Sequence, residues 1–141
     1  MYKEYPKGGA PDALERLATE IRAADGVVVV TGEYNHSTPP ALVNLLDHFL
    51  EEWFWRPSAI VSYSAGSFGG VRAASHLRDM LGELGMPAIP SSLPVPAVQH
   101  AFADDGTPLD AAWERRSKRF LDELEWYARA FAAERARGVP Y

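Results

Sequence analysis

With 141 residues, 47% of them hydrophobic, the chain has enough material for one domain of ordinary size whose core holds without staples. It contains no cysteine, which excludes disulfides, thiolate metal centres and cysteine nucleophiles, and its formal charge of -5 argues against a nucleic-acid surface, because neutralising phosphates needs clustered Lys and Arg. The start, MYKEYPKGGAPD, lacks a signal-peptide core and no window approaches the roughly 20 apolar residues of a membrane span, so the chain reads as a soluble cytoplasmic protein with a small or neutral partner.

Residues 1–11 are rich in Pro, Gly, Lys and Tyr without periodicity and read as a lead-in. From Asp12 the recurrence of Leu14, Leu17, Ala18 and Ile21 predicts a helix to about Ala24, with Asp12 and Glu15 as a capping box. Gly26 breaks it. Val27 to Thr31 is a β-branched run without alternation, which predicts a strand buried on both faces. Thr38 is placed to cap a second helix with Pro39 and Pro40 in its first turn, and Leu42, Leu45, Leu46, Phe49, Leu50 and Trp53 make its apolar face. After Arg56-Pro57, Ser58 to Ser64 reads as a second buried strand. A third helix is predicted from Val71 to Leu84 with Ala74, Leu77, Leu81 and Leu84 inward, terminated by Gly85. Ala88 to Leu93 is the third strand despite its flanking prolines, and a last helix is predicted from Thr107-Pro108 to Arg135 with Trp113, Phe120, Leu121, Leu124, Ala128 and Phe131 inward. Alternating helix and strand indicate an α/β domain with a parallel sheet.

Ligands of open parallel sheets sit beyond the carboxyl ends of the strands, and two loops there have unusual composition. The first is Gly32-Glu33-Tyr34-Asn35-His36-Ser37: Tyr34 offers a flat face with a polar tip, and Asn35 and Ser37 offer donors and acceptors suited to a planar heterocycle. The same residues also suit a plain Asx-type turn, with Tyr34 packed on a neighbour and His36 at the surface. The second is Ala65-Gly66-Ser67-Phe68-Gly69-Gly70, whose glycines let backbone N–H groups approach an electron-rich ligand, or simply make a tight strand-to-helix turn. It matches neither the P-loop nor the dinucleotide fingerprint, although Arg72 and Arg78 follow it within reach of a phosphate.

A hydrolase reading rests on SYSAG, Ser62 to Gly66, one residue away from a nucleophile elbow with Ser64 at its centre and His100, Asp104 and Asp105 downstream. The aspartates follow the only downstream histidine, against the usual order, so Ser64 is expected to be structural. His36, His48, His76 and His100 have no metal-ligand spacing, and no metal site is expected.

Together, VVVTGEYNHSTPPALVNLLDHF and AIVSYSAGSFGGVRAASHLRDMLGELGM resemble the NADPH-dependent FMN reductase family of flavodoxin-like quinone and azo-dye reductases, which carry Pro-Glu-Tyr-Asn after one strand and Ser-x-Gly-x-x-Gly-Gly after the next. Gly32 stands where the family usually has proline. The resemblance implies a flavodoxin-like three-layer αβα domain with a parallel sheet. It further implies that residues 1–141 form one partial domain lacking the first strand, phosphate loop, first helix and second strand, with Met1 an internal methionine of a longer frame or the product of a truncation. By the same resemblance Glu33, Tyr34, Asn35 and His36 border the FMN ring and ribityl chain, while Gly66, Ser67, Phe68, Gly69 and Gly70 contact the isoalloxazine edge. The implied activity is hydride transfer from NADPH or NADH to FMN and then reduction of a small-molecule electron acceptor, quinone-like or azo, with no catalytic acid or base assigned. The family's dimers or tetramers make a homodimer or homotetramer the expectation, with Phe49, Trp53, Phe54 and Trp55 either at that surface or in the core. The alternative is a non-catalytic remnant that acts only through oligomerisation.

Overall fold

In the computed structural model, which describes residues 1–141, Val27–Gly32 (β1), Ser58–Tyr63 (β2) and Ala88–Val95 (β3) form one parallel sheet in the order β1-β2-β3. Each strand reaches the next through a helix: Pro40–His48 (α2) after β1 and Val71–Glu83 (α3) after β2, with Asp12–Ala23 (α1) before β1 and Ala112–Arg135 (α4) after β3. Two right-handed crossovers that step in the same direction across a parallel sheet put their helices on the same face. Helices α1, α2 and α3 cover one face through Ala18, Leu46, Ala74, Leu77 and Leu81 on Val29 and Ile60. Helix α4 covers the other, with Phe120 and Leu124 on Ala59 and Ile89. The architecture is the three-layer αβα sandwich implied by the resemblance. No helix is long and apolar enough to cross a membrane.

Several local expectations change. β1 is buried on one face only: Val29 is 5% exposed, but Val28 and Val30 are 41% and 59% exposed, because α4 lies over β2 and β3 and stops short of the first strand. Helix α1 has Pro11 at its N-cap and no side-chain cap. Glu15 reaches back instead to the Ala10 N–H at 3.1 Å and accepts from the Tyr2 hydroxyl at 2.6 Å, so the lead-in, with a short 3-10 turn at Tyr2–Glu4, is tied to the domain. Helix α2 is capped at Pro39 rather than Thr38, ends at His48, and leaves Leu45 exposed. Phe49 and Trp53 lie beyond it in the core, in an edge-to-face pair, the indole N–H donating to the Leu46 carbonyl at 3.0 Å. Phe54 and Trp55 are half-buried, and both pack on Tyr141.

Helix α3 follows the sequence closely, with Ala74, Leu77, Leu81 and Leu84 all buried and Gly85 at φ 75° after its end. β3 runs on to Val95, since its outer edge pairs with nothing and tolerates Pro90 and Pro94. Helix α4 begins at Ala112, because Phe102 and Pro108 pair first in an antiparallel bridge. Leu121 on α4 is half exposed rather than inward.

Candidate functional site

The chain leaves β1 and turns at once. The Tyr34 and Ser37 backbones exchange two hydrogen bonds of 2.9 Å across Asn35 and His36, whose φ values are 49° and 65°. Two consecutive left-handed residues inside a two-residue loop make a type I′ turn, the form that fits the right-handed twist of extended chains. Asn tolerates that conformation best after glycine, and His more readily than most. The turn presents Tyr34, Asn35 and His36 to solvent, with Tyr34 61% exposed. His36 has no hydrogen-bond partner in the protein; it is His76, from α3, whose Nδ1 lies 3.4 Å from the Ser37 hydroxyl.

The second loop leaves the neighbouring strand. Ser62, at the end of β2, donates from its hydroxyl to the Gly69 carbonyl at 2.7 Å, which curls the chain back on itself. Gly69 and Gly70 have φ of 61° and 78°. A Cβ at Gly70 would lie 2.8 Å from the Tyr63 carbonyl oxygen and 2.9 Å from its nitrogen, and one at Gly69 would meet Pro94 and Pro96 at 3.0 Å. Both glycines are therefore required by the chain's own packing. Gly66 differs, since a Cβ there meets nothing within 4 Å. The N–H groups of Gly66, Ser67 and Phe68 have no acceptor in the protein, and all three residues are exposed.

Glu33 joins the two loops. Its Oε1 accepts from the Arg72 guanidinium at 3.0 Å and its Oε2 from the Arg72 backbone N–H at 3.2 Å, in the first turn of α3. Burial opposes the charge, but hydrogen bonds from the Arg72 side chain and from the Arg72 and Ala73 N–H groups outweigh it and hold the carboxyl below its usual value. The helix N-terminus favours an anion there as well. Arg72 in turn lies over the Phe68 ring, 4.6 Å from its centroid, a cation–π contact. Arg78 is equally occupied, with its guanidinium on the carbonyls of Ala88, Ile89 and Pro90. Neither arginine of α3 is free for a phosphate. The Glu33–Arg72 pair spans 39 positions and had no signal in the sequence beyond two opposite charges at a strand end and a helix start.

All nine residues named from the sequence thus lie on two adjacent loops at one end of the sheet, and none of the five main cavities is lined by them: they form an open rim. A flat ring with carbonyl and imine acceptors fits this rim, given the free N–H groups of Gly66, Ser67 and Phe68, the open space at Gly66 and the exposed rings of Tyr34 and Phe68. The elbow reading fares otherwise. Ser64 donates its hydroxyl to the Gly66 carbonyl at 3.0 Å, Asp105 accepts from the Thr107 N–H at 2.9 Å, and no histidine is hydrogen-bonded to the serine, so nucleophile and base are not paired.

A parallel sheet between two helical layers, with its two distinctive loops at the ends of neighbouring strands, puts the chain in the flavodoxin-like class of α/β proteins. A solved structure bears this out: FerB, a flavoenzyme NAD(P)H:(acceptor) oxidoreductase from Paracoccus denitrificans, superposes with a TM-score of 0.66 at 26% identity, over 89% of this chain and 71% of that one. The sequence profile of the NADPH-dependent FMN reductases matches residues 1–100, and the chain belongs to that family of oxidoreductases, whose cofactors are FMN and NAD(P)H. It is 34% identical over 126 residues to an NAD(P)H-dependent FMN reductase of Pseudomonas aeruginosa, a match covering 86% of this chain and 68% of that relative. A quinone reductase of Escherichia coli is 43% identical over 77 residues, 52% of this chain and 41% of the relative.

Proposed function

We propose that the rim binds the isoalloxazine ring of FMN and that the protein is an FMN-dependent NAD(P)H oxidoreductase. The observation that carries this reading is the run of unpartnered N–H groups at Gly66, Ser67 and Phe68, beside open space and within the span matched by the family profile. These donors suit the ring's carbonyl and imine acceptors, Tyr34 and Phe68 supply apolar faces, and Asn35 and His36 present side chains at the tip of the turn. Glu33 serves from behind: its carboxylate holds the start of α3 and fixes the spacing of the loops. Gly69 and Gly70 shape the glycine loop rather than opening it to the ring.

When bound, the flavin supplies the redox chemistry, accepting a hydride from NADPH or NADH and passing electrons to a quinone-like or azo acceptor. The residues of this chain bind and orient, and none is assigned as a general acid or base. The same reading places residues 1–141 within one flavodoxin-like domain of a cytoplasmic homo-oligomer, a dimer or a tetramer.

The test uses riboflavin, which carries the ring without a phosphate. Its fluorescence is titrated with wild-type protein, with Tyr34→Ala and with Gly66→Val. Saturable quenching that weakens in both variants is expected. Equal quenching in all three proteins, or none in the wild type, would remove the ring from this rim.

A further inference from the structure

We propose that Trp55 is the hydrogen-bond donor of a second ligand site, at the opposite end of the sheet from the two loops, which takes a neutral planar ring bearing one carbonyl acceptor. Two features of this residue cost free energy and gain nothing from the protein's own contacts. Its backbone is left-handed, with φ at 63°, a conformation that bulky side chains rarely adopt. Its indole N–H is buried and meets no acceptor, alone among the buried side-chain donors and acceptors of the chain. Trp53, two residues earlier, shows the ordinary outcome, with its N–H on the Leu46 carbonyl at 3.0 Å. Native structures pair their buried polar groups, and strain kept at one residue points to a use for it.

The backbone of Trp55 is pinned on both sides. Its N–H donates to the Gly85 carbonyl at 3.2 Å, just ahead of β3. Its carbonyl accepts at 2.8 Å from the Arg135 guanidinium, which also pairs with Asp25, just ahead of β1. The residue is thereby fixed at the amino ends of the strands, and only the side chain is left to adjust. Two cavities meet there. One, of about 470 Å³, has Phe54 and Arg56 in its wall, and the other, of about 320 Å³, has Phe131 and Pro140. Trp55, Arg135 and Val139 line both. Each has the size of a small-molecule site.

The charged groups around the cavities decide the class of ligand, because they are already matched. Arg135 is paired with Asp25, and Glu134 with Arg137 at 3.2 Å. The Arg56 guanidinium is spent on the carbonyls of Arg22, Ala24 and Phe54, and Glu51 is exposed to water. An ionic ligand would find no unmatched charge in these walls. What remains is aromatic surface from Phe54, Trp55 and Phe131, and one unpaired N–H. A neutral ring packs on the former, and its carbonyl accepts from the latter. Since the N–H is enclosed in the free protein, the indole turns on binding to reach the carbonyl, and a donor without a partner gains one.

The probe is acetophenone, a neutral ring with one carbonyl, titrated into the nitrogen-15-labelled 141-residue chain; toluene, which keeps the ring and lacks the acceptor, is the control. The four tryptophans give four indole N–H signals in a proton–nitrogen correlation spectrum, that of Trp55 being the one lost in Trp55→Phe. Acetophenone is expected to move the Trp55 proton downfield and saturably, with a dissociation constant of about 1 mM, and toluene is not. Trp126, 67% exposed, should stay in place with both. Trp55→Phe keeps a ring and loses the unpaired donor, so it should melt no lower than wild type, and saturation-transfer NMR should show acetophenone bound at least about tenfold more weakly. The proposal is overturned by a Trp55 signal that does not move, by an equal shift with toluene or of all four indoles, or by a Trp55 N–H already bonded to a long-lived water. It is overturned equally by a Trp55→Phe protein that melts lower or binds acetophenone as well as wild type.

Discussion

Glu33 and Arg72, one at the end of β1 and the other in the first turn of α3, are bound through both carboxylate oxygens: one accepts from the guanidinium at 3.0 Å and the other from the backbone N–H at 3.2 Å. The contact explains why two loops that are separate in sequence behave as one rim. It fixes the turn at Tyr34–Ser37 against the start of the helix that follows the glycine loop, and Arg72 extends the brace to Phe68.

The brace should fail in acid. A carboxyl whose pKa is depressed on folding contributes stability that is present above its unfolded value, here 4.5, and lost as pH falls through the folded value. Wild type should therefore be more stable than Glu33→Gln at neutral pH, and the two should converge well below pH 4.5. Urea midpoints measured across that range decide the matter; a difference that persists in acid would mean that the charge is not what Glu33 contributes.

The glycines of the second loop should separate into two kinds. Gly70→Ala places a Cβ against the Tyr63 backbone at positive φ, with an expected loss of about 1–3 kcal/mol in chemical denaturation. Gly66→Val meets open space and should stay within about 0.5 kcal/mol of wild type. If Gly66→Val alone unfolded the protein, the open side of the loop would be misassigned.

Tyr34→Ala should lower riboflavin affinity about fivefold, the loss of one stacking aromatic worth on the order of 1 kcal/mol. Ser64→Ala removes only a hydroxyl bonded within its own loop and should leave that affinity nearly unchanged. The reverse ranking in fluorescence titrations would favour Ser64 as the functional residue.

Arg56 ties the end of α1 to the turn before β2. It is 9% exposed, and its guanidinium donates to the carbonyls of Arg22, Ala24 and Phe54. Burial, reinforced by the nearby Arg135 charge, pushes its pKa below the ordinary arginine value. Arg56→Met leaves three part-buried carbonyls without their donor and should cost about 1–3 kcal/mol in all, read as a lowered denaturation midpoint. No change would mean that water replaces the guanidinium.

Core packing gives a plainer check. Leu77→Ala empties a fully buried site between α3 and the sheet and should destabilise by about 2–5 kcal/mol.

The sequence by itself determined the alternation of helix and strand, the inner face of α3, and the two loops at the strand ends, because periodicity, glycine punctuation and short motifs are local properties of a chain. Ala74, Leu77, Leu81 and Leu84 read as a buried stripe and are one. Tertiary structure decided how each element is used. The run Val27 to Val30 looks the same whether a strand is central or at an edge, and only the extent of α4 leaves Val28 and Val30 bare. Leu45 and Leu121 fit apolar stripes yet face solvent, since a periodic pattern does not say how wide the covering layer is. Glu33 and Arg72 are ordinary charges until folding brings residues 39 positions apart within hydrogen-bonding distance, and Gly70 is a flexible residue in sequence but a steric necessity once Tyr63 lies against it. The sequence marked the two loops of the proposed rim because loop composition is local; their bracing depends on long-range proximity, which the packing of α3 on the sheet creates.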